Sequence, residues 1–327
     1  MKRALIFLAM ALAGGAPSAH AVDCRALKLA SFDIDYAATR APVTIDGRDY
    51  AFLVDTGGYV STISPAIVEA LNLKPAPIET GGEIYMADGT VIDQVVTVNE
   101  VQVGLSKTNA VRFAVQPETS RAGMQFFQGT LAPDFLKKFD LDFDFGNRKL
   151  NLMSPEHCAG NVAYWSSSAI AVPFRTDAAN HIIVPVKLDG VQTTAVVDTG
   201  ASHTAMSELM ASRAFNLTPD RGLTRILGAS DHSLVQYEHR FKVLALNGVE
   251  FDDLTIAILP DDMAKSVAKN YKFKMADQRP TGPVMNAYPI IIGIDQLRKT
   301  HLYVDYKNET LYITAASAPV DAQAEAP

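Results

Sequence analysis

Cysteine is nearly absent from this chain, which also lacks excess positive charge and any long apolar run beyond its first residues. Its 327 residues include two cysteines, Cys24 and Cys158, and 36 acidic against 29 basic side chains. The negative balance argues against a nucleic-acid partner, because phosphate binding needs a basic face. After residue 21, no apolar stretch is long enough to span a membrane, which takes about 20 residues.

The first 21 residues have the order of features typical of a secretory signal peptide. A short positive segment (1–3, MKR) precedes an apolar run (4–13) too short to cross a bilayer, and residues 19–21 (AHA) form a small-residue cleavage site. A buried N-terminal helix is the alternative. We therefore predict cleavage after residue 21, a net charge of −9 for the remaining chain, and a periplasmic or secreted protein.

An exported protein can keep a disulfide. Cys24 lies at the predicted mature start, and Cys158 lies just after the first half of the chain ends. We predict that the two cysteines form a bridge that ties the ends of this half together. Two separate free thiols are the alternative.

The chain contains an internal duplication. The segment FLVDTGG at 52–58 returns 143 residues later as AVVDTGA at 195–201. Further along, LAPDFL at 131–136 matches IGIDQL at 292–297 at an offset of 161. Self-similarity of this kind predicts two lobes built on one plan. The second lobe carries 18 extra residues, which we place within 260–289.

Most segments between these markers are short, alternate apolar with polar residues, and are separated by turn residues. This pattern is typical of strands, so we predict a mostly β, bilobal protein with a few short helices. Asp88-Gly89 predicts a tight hairpin, and Asp231 has the matching position in the second half. We predict a first lobe at 22–157, a linker at 158–168, a second lobe at 169–314 and a disordered tail at 315–327.

Two Asp-Thr-Gly triplets carry the chemistry. They are Asp55, Thr56 and Gly57 in the first half and Asp198, Thr199 and Gly200 in the second. In each triplet an apolar strand leads to the Asp, the Gly permits close approach of backbone, and the Thr offers a hydroxyl and an amide for bonds across a twofold axis. Two structural turns after buried strands are the alternative.

If the two turns meet, their carboxyl groups cannot both ionise easily and share one proton as a coupled pair. The ionised member can then take a proton from water, while the protonated member donates to a peptide carbonyl oxygen. One site thus holds a general base and a general acid, without a metal or a covalent intermediate.

The paired triplets and the duplicated plan resemble the aspartic peptidases, above all the retropepsin-like members, with two lobes in one chain as in pepsin. Ile291–Gly293 and its weaker partner Thr130–Ala132 match the apolar-apolar-Gly element that cradles the catalytic loop. The resemblance implies two duplicated β-barrel lobes with a cleft between them. It also implies Asp55 and Asp198 as catalytic residues, no cofactor, and an extended peptide or protein substrate held by strand-like backbone bonds.

The resemblance further implies a flap over the cleft. The substrate-binding residues of the flap would be Tyr85, Met86, Asp88 and Gly89, with Asp231 in a second flap. Tyr85 would correspond to the tyrosine of pepsin-like flaps, and an ordinary strand aromatic is the alternative.

The sequence departs from the family pattern at three positions. Ala132 replaces the cradle glycine, and its extra methyl is expected to shift the Asp55 loop. Gly58 and Ala201 stand where pepsin-like enzymes carry Ser or Thr. Without those hydroxyls the pKa values of the carboxyl pair should be higher, so we predict a mildly acidic optimum.

Other chemistries have little support in the sequence. His232 and His239 are seven residues apart, no His-x-x-x-His pair occurs, and no Gly-x-Ser-x-Gly elbow exists. We therefore predict no metal, no cofactor and a monomeric aspartic endopeptidase. A catalytically silent peptide-binding protein, with Ala132 as its support, and a dyad assembled between two chains are the alternatives.

Overall fold

A computed structural model of the chain describes residues 26–35, 39–78, 84–85, 91–117, 127–226, 236–259 and 289–317. Several predicted features lie wholly or largely outside these ranges: the signal peptide, Cys24, the flap residues Met86, Asp88, Gly89 and Asp231, the insertion and the tail. They stay predictions, as do the domain boundaries.

Short strands build the first half of the chain. They are β1 (Lys28–Asp33), β2 (Arg40–Ile45), β3 (Arg48–Val54), β4 (Thr62–Ile63), β5 (Ala76–Pro77), β6 (Ile84–Tyr85), β7 (Val91–Ile92), β8 (Gln94–Val103), β9 (Ser106–Val115), β10 (Gly129–Leu131), β11 (Asp140–Asp144) and β12 (Lys149–Met153). Two short helices, α1 (Pro65–Ala70) and α2 (Pro133–Leu136), start on prolines, whose missing N–H costs nothing in a first turn.

The second half repeats this plan. Its strands are β13 (Ile170–Pro173), β14 (Arg175–Thr176), β15 (Ile182–Leu188), β16 (Val191–Val197), β17 (Ala205–Ser207), β18 (Thr224–Ile226), β19 (Gln236–Leu246), β20 (Val249–Leu259), β21 (Ile290–Ile292), β22 (Thr300–Asp305) and β23 (Thr310–Ala315). The helices are α3 (Glu208–Phe215) and α4 (Ile294–Leu297). The Ser207 hydroxyl caps α3 by accepting from the Met210 amide, and Asn216 ends it in the left-handed conformation.

Each half closes into a six-stranded barrel. In the first lobe the strand order is β2-β3-β10-β4-β9-β8, and pairing of β2 with β8 closes the ring. In the second lobe the order is β15-β16-β21-β17-β20-β19, closed by the pairing of β15 with β19. The predicted mostly β fold of two duplicated barrel lobes is therefore confirmed. No helix in the described part of the chain is long and apolar enough to cross a membrane.

A third sheet joins the lobes. Its order is β1-β12-β11-β22-β23-β13, and the central pair, β11 with β22, comes from different lobes. Side chains alternate along these strands. One face is apolar and buried in the main core, with Leu141, Phe143 and Val304. The other face is polar although it is also buried, because the interlobe segment, residues 154–169 between β12 and β13, covers it.

Two hydrogen-bonded clusters fill the polar face of this sheet. In the first, Asp142 Oδ1 lies 2.7 Å from His301 Nε2, and Asp142 also accepts from Asn151 and from the Tyr164 hydroxyl. Trp165 stacks on the His301 ring, with centroids 4.0 Å apart and planes 5° apart. The interlobe segment is thus packed onto the sheet through these side chains.

Asp140 is at the centre of the second cluster. Its Oδ2 atom lies 2.5 Å from His157 Nε2 and accepts from the Tyr303 hydroxyl at 3.0 Å. Burial raises the pKa of Asp140 to about 6, the hydrogen bond from His157 lowers it, and the nearby charge of Asp305 raises it.

The raised pKa of Asp140 predicts a pH-dependent stability. The folded chain holds this proton up to about pH 6, whereas an unfolded carboxyl releases it near 3.8, so the stabilisation is complete below pH 3.8 and is lost as pH rises through 6. We expect this group to lower the free energy of unfolding on the order of 2 kcal/mol between pH 4 and pH 7. Urea unfolding of wild type and Asp140→Asn at both pH values measures the effect. An identical pH dependence in the two proteins would contradict it, and Asp252→Asn, at an exposed site, is the control.

Candidate active site

Two strands lead to the aspartates, and each is buried at its last residue. Asp55 follows the last residue of β3, and Asp198 follows the last residue of β16. The Asp55 amide donates to Leu131 O at 3.0 Å, and the Asp198 amide donates to Ile292 O at the same distance. Each carboxyl therefore leaves its barrel at the same place, beside the strand that precedes α2 or α4.

The two threonines lock the loops together across the lobe interface. The Thr56 amide donates to Thr199 Oγ1 at 3.1 Å, and the Thr199 amide donates to Thr56 Oγ1 at 3.0 Å. Each hydroxyl then donates to the opposite lobe, Thr56 to Val197 O and Thr199 to Val54 O, both at 2.7 Å. Both threonines are buried, so water does not compete for these four bonds.

The glycines of the triplets leave space for the carboxyl groups of the opposite lobe. A Cβ atom built on Gly57 would lie 2.1 Å from Asp198 Cγ, and one built on Gly200 would lie 2.3 Å from Asp55 Cγ. These distances are far below van der Waals contact. Only glycine therefore allows each carboxyl group to pack against the backbone of the other triplet.

The two carboxyl groups form a coupled pair. Burial raises the pKa of Asp55 well above its ordinary value, and the charge of Asp198 and a hydrogen bond with it raise this pKa further, against the Gly57 and Gly58 amides. On the other side, the Gly200 and Ala201 amides donate to Asp198 Oδ1 at 2.8 and 3.1 Å. The pair is thus arranged to hold one proton between its two carboxyl groups.

A second aspartate in each lobe holds the catalytic loop through hydrogen bonds, and neither residue is among the predicted site residues. Asp134 Oδ1 accepts from the Ser61 amide and hydroxyl at 3.0 and 2.7 Å, and Ser61 Oγ accepts from the Ala132 amide. Asp295 Oδ1 accepts from the Thr204 amide and hydroxyl at 2.8 and 2.7 Å. The sequence contains a signal for these residues. Ser61 and Thr204 are 143 residues apart, and Asp134 and Asp295 are 161 apart, which are the offsets of the two duplicated motifs.

Ala132 has the backbone conformation of the glycine that it replaces. Its φ is −102° and its ψ is 175°, close to the −91° and 179° of Gly293. The surroundings differ, because a Cβ on Gly293 would lie 2.5 Å from the backbone carbonyl carbon of His203, whereas the Ala132 methyl lies 3.1 Å from the position of a Cβ built on Gly58. The expected shift of the Asp55 loop stays a prediction.

The remaining predicted site residues are described only in part. Tyr85 ends β6, which pairs with β7 as the base of a hairpin. The other residues predicted for the flap, Met86, Asp88 and Gly89, lie outside the described ranges, as does Asp231. The same holds for Cys24, so its disulfide with Cys158 stays a prediction. His203 is exposed.

One described group has the composition of a metal site. Atoms of Asp140, His157 and Asp305 that could ligate a metal lie within 4.8 Å of one another. Protein partners already engage them, because His157 also contacts Cys158 O through Nδ1 and Asp305 accepts from the amide and side chain of Asn308. Hydrogen bonding within the protein accounts for this arrangement, and the absence of a metal stays a prediction.

Fold and site together define a two-lobed protein in which each lobe contributes one aspartate to a shared site. Residues 41–129 match the family model described as gag-polyprotein putative aspartyl protease, and residues 184–279 match the model described as Aspartyl protease. The two matches lie in tandem and contain one triplet each. The chain belongs to the aspartic peptidase family, and the predicted resemblance is confirmed.

Among solved structures, the chain is similar to the crystal structure of basic 7S globulin from soybean. The alignment has a TM-score of 0.49 and 9% sequence identity, and it covers 91% of this chain and 97% of the globulin chain. No curated protein matches the chain.

Proposed function

We propose that the chain is an aspartic endopeptidase that hydrolyses peptide bonds with a water molecule activated between Asp55 and Asp198. The observation that carries the proposal is the pairing of two half-buried carboxyl groups from different lobes, with the pKa of Asp55 raised by burial and by Asp198. Membership of the aspartic peptidase family supports it.

The proposed reaction uses the pair in two steps. The ionised carboxylate takes a proton from water as the oxygen attacks the peptide carbonyl carbon, while the protonated carboxyl donates to the carbonyl oxygen. The C–N bond of the tetrahedral intermediate then breaks. The carboxyl that took the water proton gives it to the leaving nitrogen, while the other carboxylate takes a proton from a hydroxyl of the intermediate, which restores the singly protonated pair. The Gly57 and Gly200 amides hold the carboxyl groups in place throughout, at 3.0 and 2.8 Å.

The proposed substrate is an extended peptide or protein. The hairpin based on β6 and β7 would close over it as a flap, with Tyr85 at its edge. We propose that the protein acts as a monomer, since both triplets are supplied by one chain, and that it works in the periplasm or outside the cell.

The pH dependence of cleavage follows from the coupled pair. Activity requires one proton on the pair, so it falls at low pH when both carboxyls are protonated and at high pH when the shared proton is lost. Gly58 has no side chain to donate a hydroxyl, and the pKa of Asp55 is raised, so we expect kcat/KM to peak at mildly acidic pH. A peak near pH 2 in a pH–rate profile would contradict this expectation.

A catalytically silent peptide-binding protein is the alternative function. The sequence feature in favour of a silent protein is Ala132 in place of the cradle glycine. The first lobe accommodates the Ala132 methyl next to Gly58. Incubating the full chain with a peptide library between pH 3 and pH 7 and sequencing the products by mass spectrometry separates the two functions. New termini that are absent with Asp55→Asn support the peptidase. Tight binding without cleavage across this range would support the binding protein.

A further inference from the structure

His181 connects the two lobes next to the catalytic loop. It precedes β15 in the second lobe and has only 2% of its surface exposed. Its Nε2 atom lies 3.1 Å from the carbonyl oxygen of Gly58, the residue directly after the triplet of the first lobe. Its Nδ1 atom lies 3.0 Å from Asp177 Oδ2.

Both of these ring contacts are to hydrogen-bond acceptors. A carbonyl oxygen and an ionised carboxylate have no proton to give, and a neutral imidazole has only one N–H group. Satisfying both contacts therefore requires the imidazolium form of His181, which donates from both nitrogens. The Asp177 carboxylate supplies the compensating charge.

The turn that carries the ring is itself ordered by Asp177. Its Oδ1 atom accepts from the Ala179 amide at 2.8 Å and from the His181 amide at 3.0 Å. The carboxylate thus fixes both the backbone and the ring of His181. Other charged or titratable groups close to this turn are Lys137, bonded to Asn180, and Tyr59, whose pKa burial and the charge of Asp177 raise to about 12.

The Gly58 peptide is coupled to the catalytic carboxyl. The Gly58 amide bonds to Asp55 and lowers its pKa, against the effect of burial. A Cβ on Gly58 would lie 2.9 Å from Asp55 Oδ2, so this residue packs directly on the carboxyl group. A ring that holds the Gly58 carbonyl from the other lobe therefore restrains the position of Asp55.

The sequence duplication does not repeat this histidine. Strand pairs such as Arg40 with Leu53 and Ile183 with Val196 show that equivalent positions of the two lobes are 143 residues apart, so the position that corresponds to His181 is Ala38 in the sequence. In the described part of the chain, the first lobe instead contacts the Asp198 loop through Thr39, whose hydroxyl lies 3.3 Å from Thr199 O. The imidazole contact described here acts on the Asp55 loop.

We propose that His181, held as an imidazolium by Asp177, is a positioning residue for Asp55 in the proposed peptidase reaction. The inference rests on the proposed function for its kinetic consequences. Loss of the bond to Gly58 releases this restraint, so catalysis should weaken without it.

Kinetics of His181 variants test the positioning role. We expect His181→Ala to lower kcat for peptide cleavage about 10- to 100-fold, with a smaller change in KM, because a displaced carboxyl group impairs catalysis more than binding. His181→Gln keeps a neutral donor toward Gly58, so it should recover part of kcat. His239→Gln, at a histidine that bonds Gly222 O, is the matched control. An unchanged kcat in His181→Ala would overturn the proposal.

A spectroscopic readout separates this inference from the proposed function. In ¹⁵N NMR of the full chain with labelled histidine, His181 should show two protonated ring nitrogens at pH 6. A neutral His181 ring at pH 6 overturns the inference whether or not the protein cleaves peptides. Absence of cleavage by a wild type that shows the imidazolium signal would instead count against the peptidase function alone.

Discussion

Asp55→Asn and Asp198→Asn are each expected to reduce kcat/KM for peptide cleavage by about 10³-fold or more, because an amide can neither take a proton from water nor share one with the opposite carboxyl. The two carboxyls act as a unit, so the double variant should be little worse than either single one. Cleavage of one peptide followed at the mildly acidic optimum measures all three.

Loss of folding would not explain this result. Burial and the neighbouring charge of Asp198 make ionised Asp55 unfavourable, so removing one carboxyl should leave thermal stability unchanged or higher. Asp252→Asn, at an exposed position, controls for the substitution itself. Activity that survives in either single variant would contradict a shared site.

Gly57→Ala and Gly200→Ala are expected to abolish cleavage and to destabilise the protein. The new methyl would overlap the carboxyl group of the other lobe, at 2.1 Å from Asp198 Cγ or 2.3 Å from Asp55 Cγ. Relief requires the two loops to move apart, which breaks the bonds between the threonines. We expect a cost of about 3 kcal/mol, at the upper end for overpacking.

Thermal melting and cleavage assays on the same preparations measure both effects. Gly190→Asn is a suitable control, because Gly190 has nothing within 4 Å of a built Cβ and asparagine tolerates its positive φ of 86°. Wild-type melting and activity in Gly57→Ala would show that the loops do not meet as described.

The sequence predicts the lobes and the position of the two catalytic aspartates well, because the motifs that mark both occur twice in the chain. The triplets recur at a fixed offset after the same apolar strand, and the strand before α2 recurs before α4. Ser61 with Asp134 and Thr204 with Asp295 recur in the same way. Their role was missed because a serine or threonine a few residues past a triplet has no chemical signature until the fold brings the second aspartate to it.

Features that break the repeat are harder to foresee. His181 has a role only because its turn meets Gly58 of the other lobe, 123 residues away. The alternating acids of β11, such as Asp140 and Asp142, have the pattern of a strand with one solvent-facing side. They are buried instead, because the interlobe segment covers that face with His157 and Trp165. The surroundings of the Ala132 methyl could not be predicted from the sequence, because they depend on Gly58, which lies next to this methyl in the folded chain.

A mixing experiment tests the central claim most directly. The claim is that one chain supplies both aspartates of one peptidase site. Wild type, Asp55→Asn, Asp198→Asn and an equimolar mixture of the two variants are assayed on the same peptide at equal total concentration. We expect cleavage by wild type alone and none by the variants or their mixture. Recovery of cleavage in the mixture would show that the dyad forms between chains, and a wild type that cleaves no peptide would contradict the proposed function.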